Sequence, residues 1–138
     1  MIVTQTIRLR IVVDAKHGDR LAETVRQYAT AFNAVAEAGW DSKTVNGVKL
    51  HHATYRALRN KLDLPAQLVI SARMKAVEAL KSVRERAKQG KKASCPQTTK
   101  PSVRFDARSY RLDWSGAVRL TVIGGRIEAP VLFDRHSE

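Results

Sequence analysis

The chain has 138 residues, 43% of them hydrophobic, which suits one domain with a real core or one small domain inserted into another. Lysine and arginine number 25 against 13 acids, a formal charge of +12, so the field draws polyanions and fits nucleic acid, a basic scaffold or an anionic membrane. The membrane reading fails: no run nears the ~20 apolar residues of a spanning helix, and "MIVTQTIRLRIVV" carries its arginines inside its apolar stretch, unlike a secretory signal. Cys95 is the single cysteine, so there is no disulfide framework, and the expected setting is the cytoplasm.

In "TQTIRLRIVV" (4–13), Ile7, Leu9, Ile11 and Val13 alternate with Thr4, Thr6, Arg8 and Arg10, which predicts a half-buried strand. "DAKHGD" (14–19) breaks it, and Asp19 is the expected helix N-cap. Leu21, Val25, Tyr28, Phe32 and Val35 then recur at three and four, the stripe of a first helix ending near Gly39. "WDSKTVNGVK" (40–49) reads as a loop with an Asn-Gly turn, followed by a second helix over Leu50 to Lys61. Pro65 suits the first turn of a third helix running to about Lys88, with Val69, Ala72, Ala76, Leu80, Val83 and Ala87 as its buried stripe. Residues 87–101, rich in lysine and without apolar period, read as a basic linker.

After the linker the period is two again. Val103, Phe105 and Ala107 share one face; the phase then flips, and Tyr110, Leu112 and Trp114 share one, so a turn or bulge is required at Arg108–Ser109. "SVRFDARSYRL" (102–112) is thus expected to be a hairpin with both apolar pairs towards a core. Val118, Leu120 and Val122 form the next strand, Gly124-Gly125 signals a two-residue hairpin, and Ile127, Ala129, Val131 and Phe133 form the last strand. The fold class is therefore α+β: a small antiparallel sheet or partial barrel, to which the first strand returns, with an inserted three-helix bundle. Residues 1–14 and 101–135 would form the discontinuous β domain and 17–92 the helical insert.

Catalytic patterns are wanting. The thirteen acids are scattered, and pairs such as Asp106/Asp113 and Asp134/Glu138 do not make a two-metal nuclease. His17, His51, His52 and His136, without a C-x-x-C, do not make a zinc site, and no glycine loop cradles phosphate. No enzyme, metal or cofactor is expected. Basicity is the positive signal. From Arg73 to Lys92 there are eight basic residues (Arg73, Lys75, Lys81, Arg84, Arg86, Lys88, Lys91, Lys92) against Glu78 and Glu85, half of the net charge. Lys81, Arg84 and Lys88 share a helix face, which suits salt-dependent phosphate contact or else a solvated face with a basic last turn. In "LHHATYRALR" (50–59), His52, Tyr55, Arg56 and Arg59 could stack on bases and read their edges, or simply cover a surface. The sheet arginines Arg8, Arg10, Arg104, Arg108, Arg111, Arg119 and Arg126 are either guards against edge pairing or binding groups.

Taken together, "LHHATYRALRNKLDLPAQLVISARMKAVEALKS", "SVRFDARSYRL" and "VRLTVIGGRIEAPV", with "AFNAVAEAGW" in register, resemble the N-terminal part of the TnpB (insertion-sequence OrfB) family. These are transposon-encoded RNA-guided DNA nucleases related to type V CRISPR effectors. The resemblance implies a wedge-like barrel interrupted by a helical recognition lobe, which hold guide RNA and the guide–target heteroduplex and read a motif beside the target. It places His52, Tyr55, Gln67 and Ser71 against the flanking duplex, and Arg73, Lys75, Arg104 and Arg108 against backbones. The family's Asp/Glu/Asp centre, its four-cysteine zinc module and its later barrel strands lie beyond the matching part. The expectation is a nuclease-less module, whether fragment, remnant or short protein, that binds structured RNA, an RNA–DNA hybrid or duplex DNA. The alternative is an interaction protein that pairs with a second copy or a partner through its unfinished sheet edge.

Overall fold

A computed structural model describes residues 1–133; Asp134, Glu138 and His136 lie outside the described residues. The elements run β1 (Leu9–Ile11), α1 (Ala15–Asp41), α2 (Gly47–Lys61), α3 (Ala66–Lys88), β2 (Tyr110–Leu112), β3 (Ala117–Val122) and β4 (Gly125–Phe133). The four strands form one antiparallel sheet in the order β1-β4-β3-β2. The expected α+β class therefore holds, with the first strand returning to the last and three helices inserted between. The sheet is open, so β1 and β2 are edges among the described residues.

The helices pack as their stripes dictate. Tyr28, Phe32, Val35 and Ala36 of α1 meet Leu68, Val69, Ala72, Ala76 and Leu80 of α3, and Leu50 and Leu58 of α2 close the third side. Burying side chains of this size stabilises by roughly 1.5–3 kcal/mol each, an upper figure given the compactness of unfolded chains. A second, smaller cluster of Val118, Ala129 and Val131 lies on the sheet.

Several boundaries differ from expectation, each for a local reason. β1 spans three residues and not 4–13: Leu9 pairs with Phe133, the last described residue, and among the described residues none pairs with those before Leu9. The cap of α1 is Asp14 and not Asp19: its carboxylate accepts the His17 amide at 2.7 Å, so the whole "DAKHGD" stretch after Asp14 is helical. Asn46-Gly47 is not a turn; Asn46 caps α2 by accepting the Lys49 amide at 3.0 Å. Between the two helices, the Thr44 amide donates to the Gly39 carbonyl and the Lys43 amide to the Trp40 carbonyl, with Lys43 at φ 56°. This is a Schellman stop without its usual glycine. Pro65 immediately precedes α3, whose buried stripe holds through Leu80; Val83 is then half-buried and Ala87 exposed, because α3 outruns the end of α1.

The stretch after α3 departs most. Residues 91–98 carry no element but are tied back to the bundle. The Asn33 side-chain amide donates to the Thr98 carbonyl at 2.9 Å and accepts the Thr98 amide at 2.8 Å, as a strand partner would. Residues 103–107 are not a strand. They run along α3, where Ser71 Oγ donates to the Arg104 carbonyl, Lys75 Nζ donates to the Ser102 carbonyl, and Val103 and Phe105 pack on the helical core. The turn expected at Arg108–Ser109 is present, closed by Asp106, whose carboxylate accepts the amides of both residues. Tyr110, Leu112 and Trp114 do not enter a core; all three are exposed, Trp114 fully. The helices meet the sheet at the β3–β4 turn, where Arg20 donates to the Ile123 and Gly125 carbonyls, and the edge strand β2 lies past that cover. That turn itself sits one residue early, at Ile123–Gly124, with Gly125 opening β4 opposite Val122.

Candidate nucleic-acid interface

Lys81, Arg84 and Lys88 are all exposed on the part of α3 that projects past α1, as their spacing predicted. Arg86, Lys91 and Lys92 beside them are exposed too, and the acid in this stretch, Glu85, lies 3.4 Å from Lys88. Their charge therefore faces solvent nearly uncompensated. Along one flank runs an apolar groove of ≈ 410 Å³ whose lining includes Trp40, Val45, Leu80, Val83, Ala87 and the stem of Arg84. Trp40, 41% exposed, thus stands beside the basic stripe. An aromatic face next to cations is the arrangement on which unstacked bases settle.

The α2 group is only partly available. His52 and Arg56 are exposed, but Tyr55 is half-buried on the helical core, and His51 stacks on its ring at 4.6 Å between centroids. Burial holds the His51 imidazole below its ordinary pKa, and Arg73 and His52 push it the same way.

On α3 itself, four expected contact residues are occupied with structure. Gln67 is half-buried. Ser71 Oγ shares a hydrogen bond with the buried Tyr28 hydroxyl at 2.9 Å while donating to the Arg104 carbonyl. Burial raises the Tyr28 pKa, the bond to Ser71 acting against it. Arg73 Nη1 donates to the Gly47 carbonyl at 3.0 Å, and Lys75 is bound to the Ser102 carbonyl. These side chains pin the N-terminus of α2 and the 102–105 segment.

Arg104 is likewise spoken for. Its two terminal nitrogens donate to the two Glu78 oxygens, both at 2.9 Å. This two-pronged hydrogen bond holds the Glu78 carboxyl below, and the Arg104 guanidinium above, their ordinary values. A depressed carboxylate pKa stabilises the fold above the ordinary Glu range, and the gain is lost as pH falls through the depressed value. Glu78→Gln should therefore destabilise at pH 7 and match the parent once pH has fallen through the depressed Glu78 value, as read by denaturant midpoints across pH. Both side chains are about half exposed, so solvent screens the pair and the effect is small.

Arg108 belongs to a different group, which strand-by-strand reading left scattered. Cross-strand register sets Arg111 opposite Arg119, Arg119 opposite Glu128 and Thr121 opposite Arg126, so all five lie on the sheet face away from the Val118–Ala129–Val131 cluster. The Thr121 amide donates to the Ser109 carbonyl at 2.8 Å, which brings the Arg108 turn level with Arg126. Arg108, Arg111, Arg119 and Arg126 line one cleft of ≈ 210 Å³. Arg111, Arg119 and Arg126 were visible as strand arginines, but only the register shows that they converge.

Among the described residues no helix is long and apolar enough to cross a membrane, and no three metal-ligating side chains come together. No curated protein and no solved structure matches the chain. A family model matches residues 24–121, from the third turn of α1 into β3 and more than half of the sequence, and the chain belongs to the uncharacterized protein MJ0013 family.

Proposed function

We propose that this protein binds nucleic acid along the projecting end of α3, as the nuclease-less binding module of a TnpB-like protein. The observation that carries the reading is the exposed, almost unpaired run Lys81, Arg84, Arg86, Lys88, Lys91 and Lys92. The resemblance of the helical and sheet segments to the N-terminal part of that family supports it. Trp40 and its groove favour a ligand with unstacked bases, so structured RNA is preferred over plain duplex DNA. An RNA–DNA hybrid is the second ligand to try.

Fluorescence anisotropy against a hairpin RNA, a hybrid and a DNA duplex, between ~50 and ~300 mM salt, provides the test. Expected is binding to the RNA that weakens steeply with salt. Trp40→Ala should lower affinity for the RNA loop by roughly 5–100-fold, the worth of one stacked base, and leave the duplex unaffected. Undetectable binding, or binding indifferent to salt, would sink the proposal.

A further inference from the structure

We propose that the outer face of the sheet carries a separate site for a phosphomonoester, built from Arg108, Arg111, Arg119 and Arg126. The four arginines line one small cleft, and they come from four successive elements: the turn before β2, then β2, β3 and β4. One carboxylate, Glu128, offsets them, 3.4 Å from Arg119 Nε. Asp106 is turned to the Arg108 and Ser109 amides and is not in the cleft lining. Arg111 and Arg119 are direct cross-strand partners, a placement that repels unless an anion lies between them.

The charge balance selects the ligand. Four cations against one anion exceed what a singly charged phosphodiester can neutralise, whereas a monoester brings close to two charges and three acceptor oxygens. Guanidinium forks suit those oxygens in paired hydrogen bonds, and arginine stays protonated throughout the useful pH range. The ligand chemistry is therefore a phosphate ester with a free dianionic end, whether on a small molecule or at the end of a strand. The site is remote in sequence from the α3 stripe, and nothing in its argument requires that stripe to bind.

The test is NMR observation of arginine Nε–Hε signals in the full chain, titrated with glycerol phosphate and, separately, with dimethyl phosphate. The site predicts saturable shifts concentrated on the four arginines, and at least tenfold tighter binding of the monoester. Arg111→Gln removes the like-charge pair and so keeps the fold, as its amide spectrum will report, but should weaken the monoester at least tenfold. The Lys81/Arg84/Lys88 triple alanine variant should bind glycerol phosphate as the parent does. Non-saturating shifts, shifts spread over all exposed arginines, or equal affinity for the two esters would overturn the proposal. Comparing 5′-phosphorylated with 5′-hydroxyl oligonucleotide assigns the source. A preference for the phosphorylated strand that Arg111→Gln abolishes supports the site with a strand end as ligand. Saturable glycerol phosphate binding without that preference supports it with a small phosphomonoester.

Discussion

Replacing Lys81, Arg84 and Lys88 together by alanine should lower affinity for a duplex or hybrid by on the order of 10²–10³-fold at ~0.1 M salt. Each phosphate contact adds about 0.9 to the slope of log affinity against log salt, so three lost contacts flatten it by about 2.7. At one tenth of a molar reference that slope is worth nearly three decades. The fold should be little changed, because all three side chains are exposed, and among the described residues Lys88 has only the exposed Glu85 for an ion pair while Lys81 acts on Glu78 from a distance. Alanine is also the best helix former, so α3 loses nothing by the exchange. Anisotropy titrations of parent and variant at several salt concentrations measure both quantities. An unchanged slope would mean that the stripe does not touch phosphate. Uniform loss across unrelated sequences is the companion expectation, since phosphate contacts carry no sequence information.

The second large effect concerns stability and runs against helix propensity. Gly39→Ala ought to help a helix by about 1 kcal/mol. Here a Cβ would stand 2.4 Å from Leu80 Cδ1, 3.2 Å from Leu50 Cδ1 and 3.0 Å from the Thr44 carbonyl oxygen. The two leucines are buried in the core and can yield only by repacking it. The carbonyl is held where it is by the Schellman stop, in which the Thr44 amide bonds back to Gly39 at 3.0 Å. Overpacking of this kind costs roughly 1–3 kcal/mol or more, so the net result should be a loss of about 2 kcal/mol and a drop in Tm of about 5–10 °C. Gly18→Ala is the matching control. It too lies inside α1, but its nearest neighbour is Val13 Cγ2 at 3.8 Å, ordinary contact, so it should gain about 0.5–1 kcal/mol. Thermal melts of the two variants should move in opposite directions. Equal shifts would contradict the meeting of three helices at Gly39.

The contrast between these two glycines shows where sequence reading stops. Both are glycines in a helical pattern, and only the approach of α2 and α3 distinguishes them. The helical stripes were legible because burial imposes a period, and Tyr28, Phe32, Val35, Val69, Ala72, Ala76 and Leu80 all lie in the core as that period requires. The 91–106 segment was not, because polar side chains hold it. Asn33, Ser71 and Lys75 are donors and acceptors to backbone, and such bonds leave no periodic trace. The same bonds give Ser71, Arg73, Lys75 and Arg104, expected as contact residues, partners within the chain: charge and polarity say nothing about which partner a side chain has found. For the sheet, alternation placed each arginine on its strand, but which faces coincide depends on register. Register depends on the β3–β4 turn, which sits one residue before the position its two glycines suggest.

The partnership of β1 with β4 has a kinetic side. Leu9 finds Phe133 and Ile11 finds Val131, so the first and last described strands pair across the whole helical insert. Helix formation and the β3–β4 hairpin need only neighbouring residues, whereas this closure must wait for β4 and bears the loop entropy of everything between. The emerging chain therefore carries Ile11 and its apolar neighbours Ile7 and Val12 without the β4 partner until β4 has followed. For that interval the interspersed Arg8 and Arg10 put charge into an otherwise apolar segment, and charge of that kind opposes pairing with foreign strands.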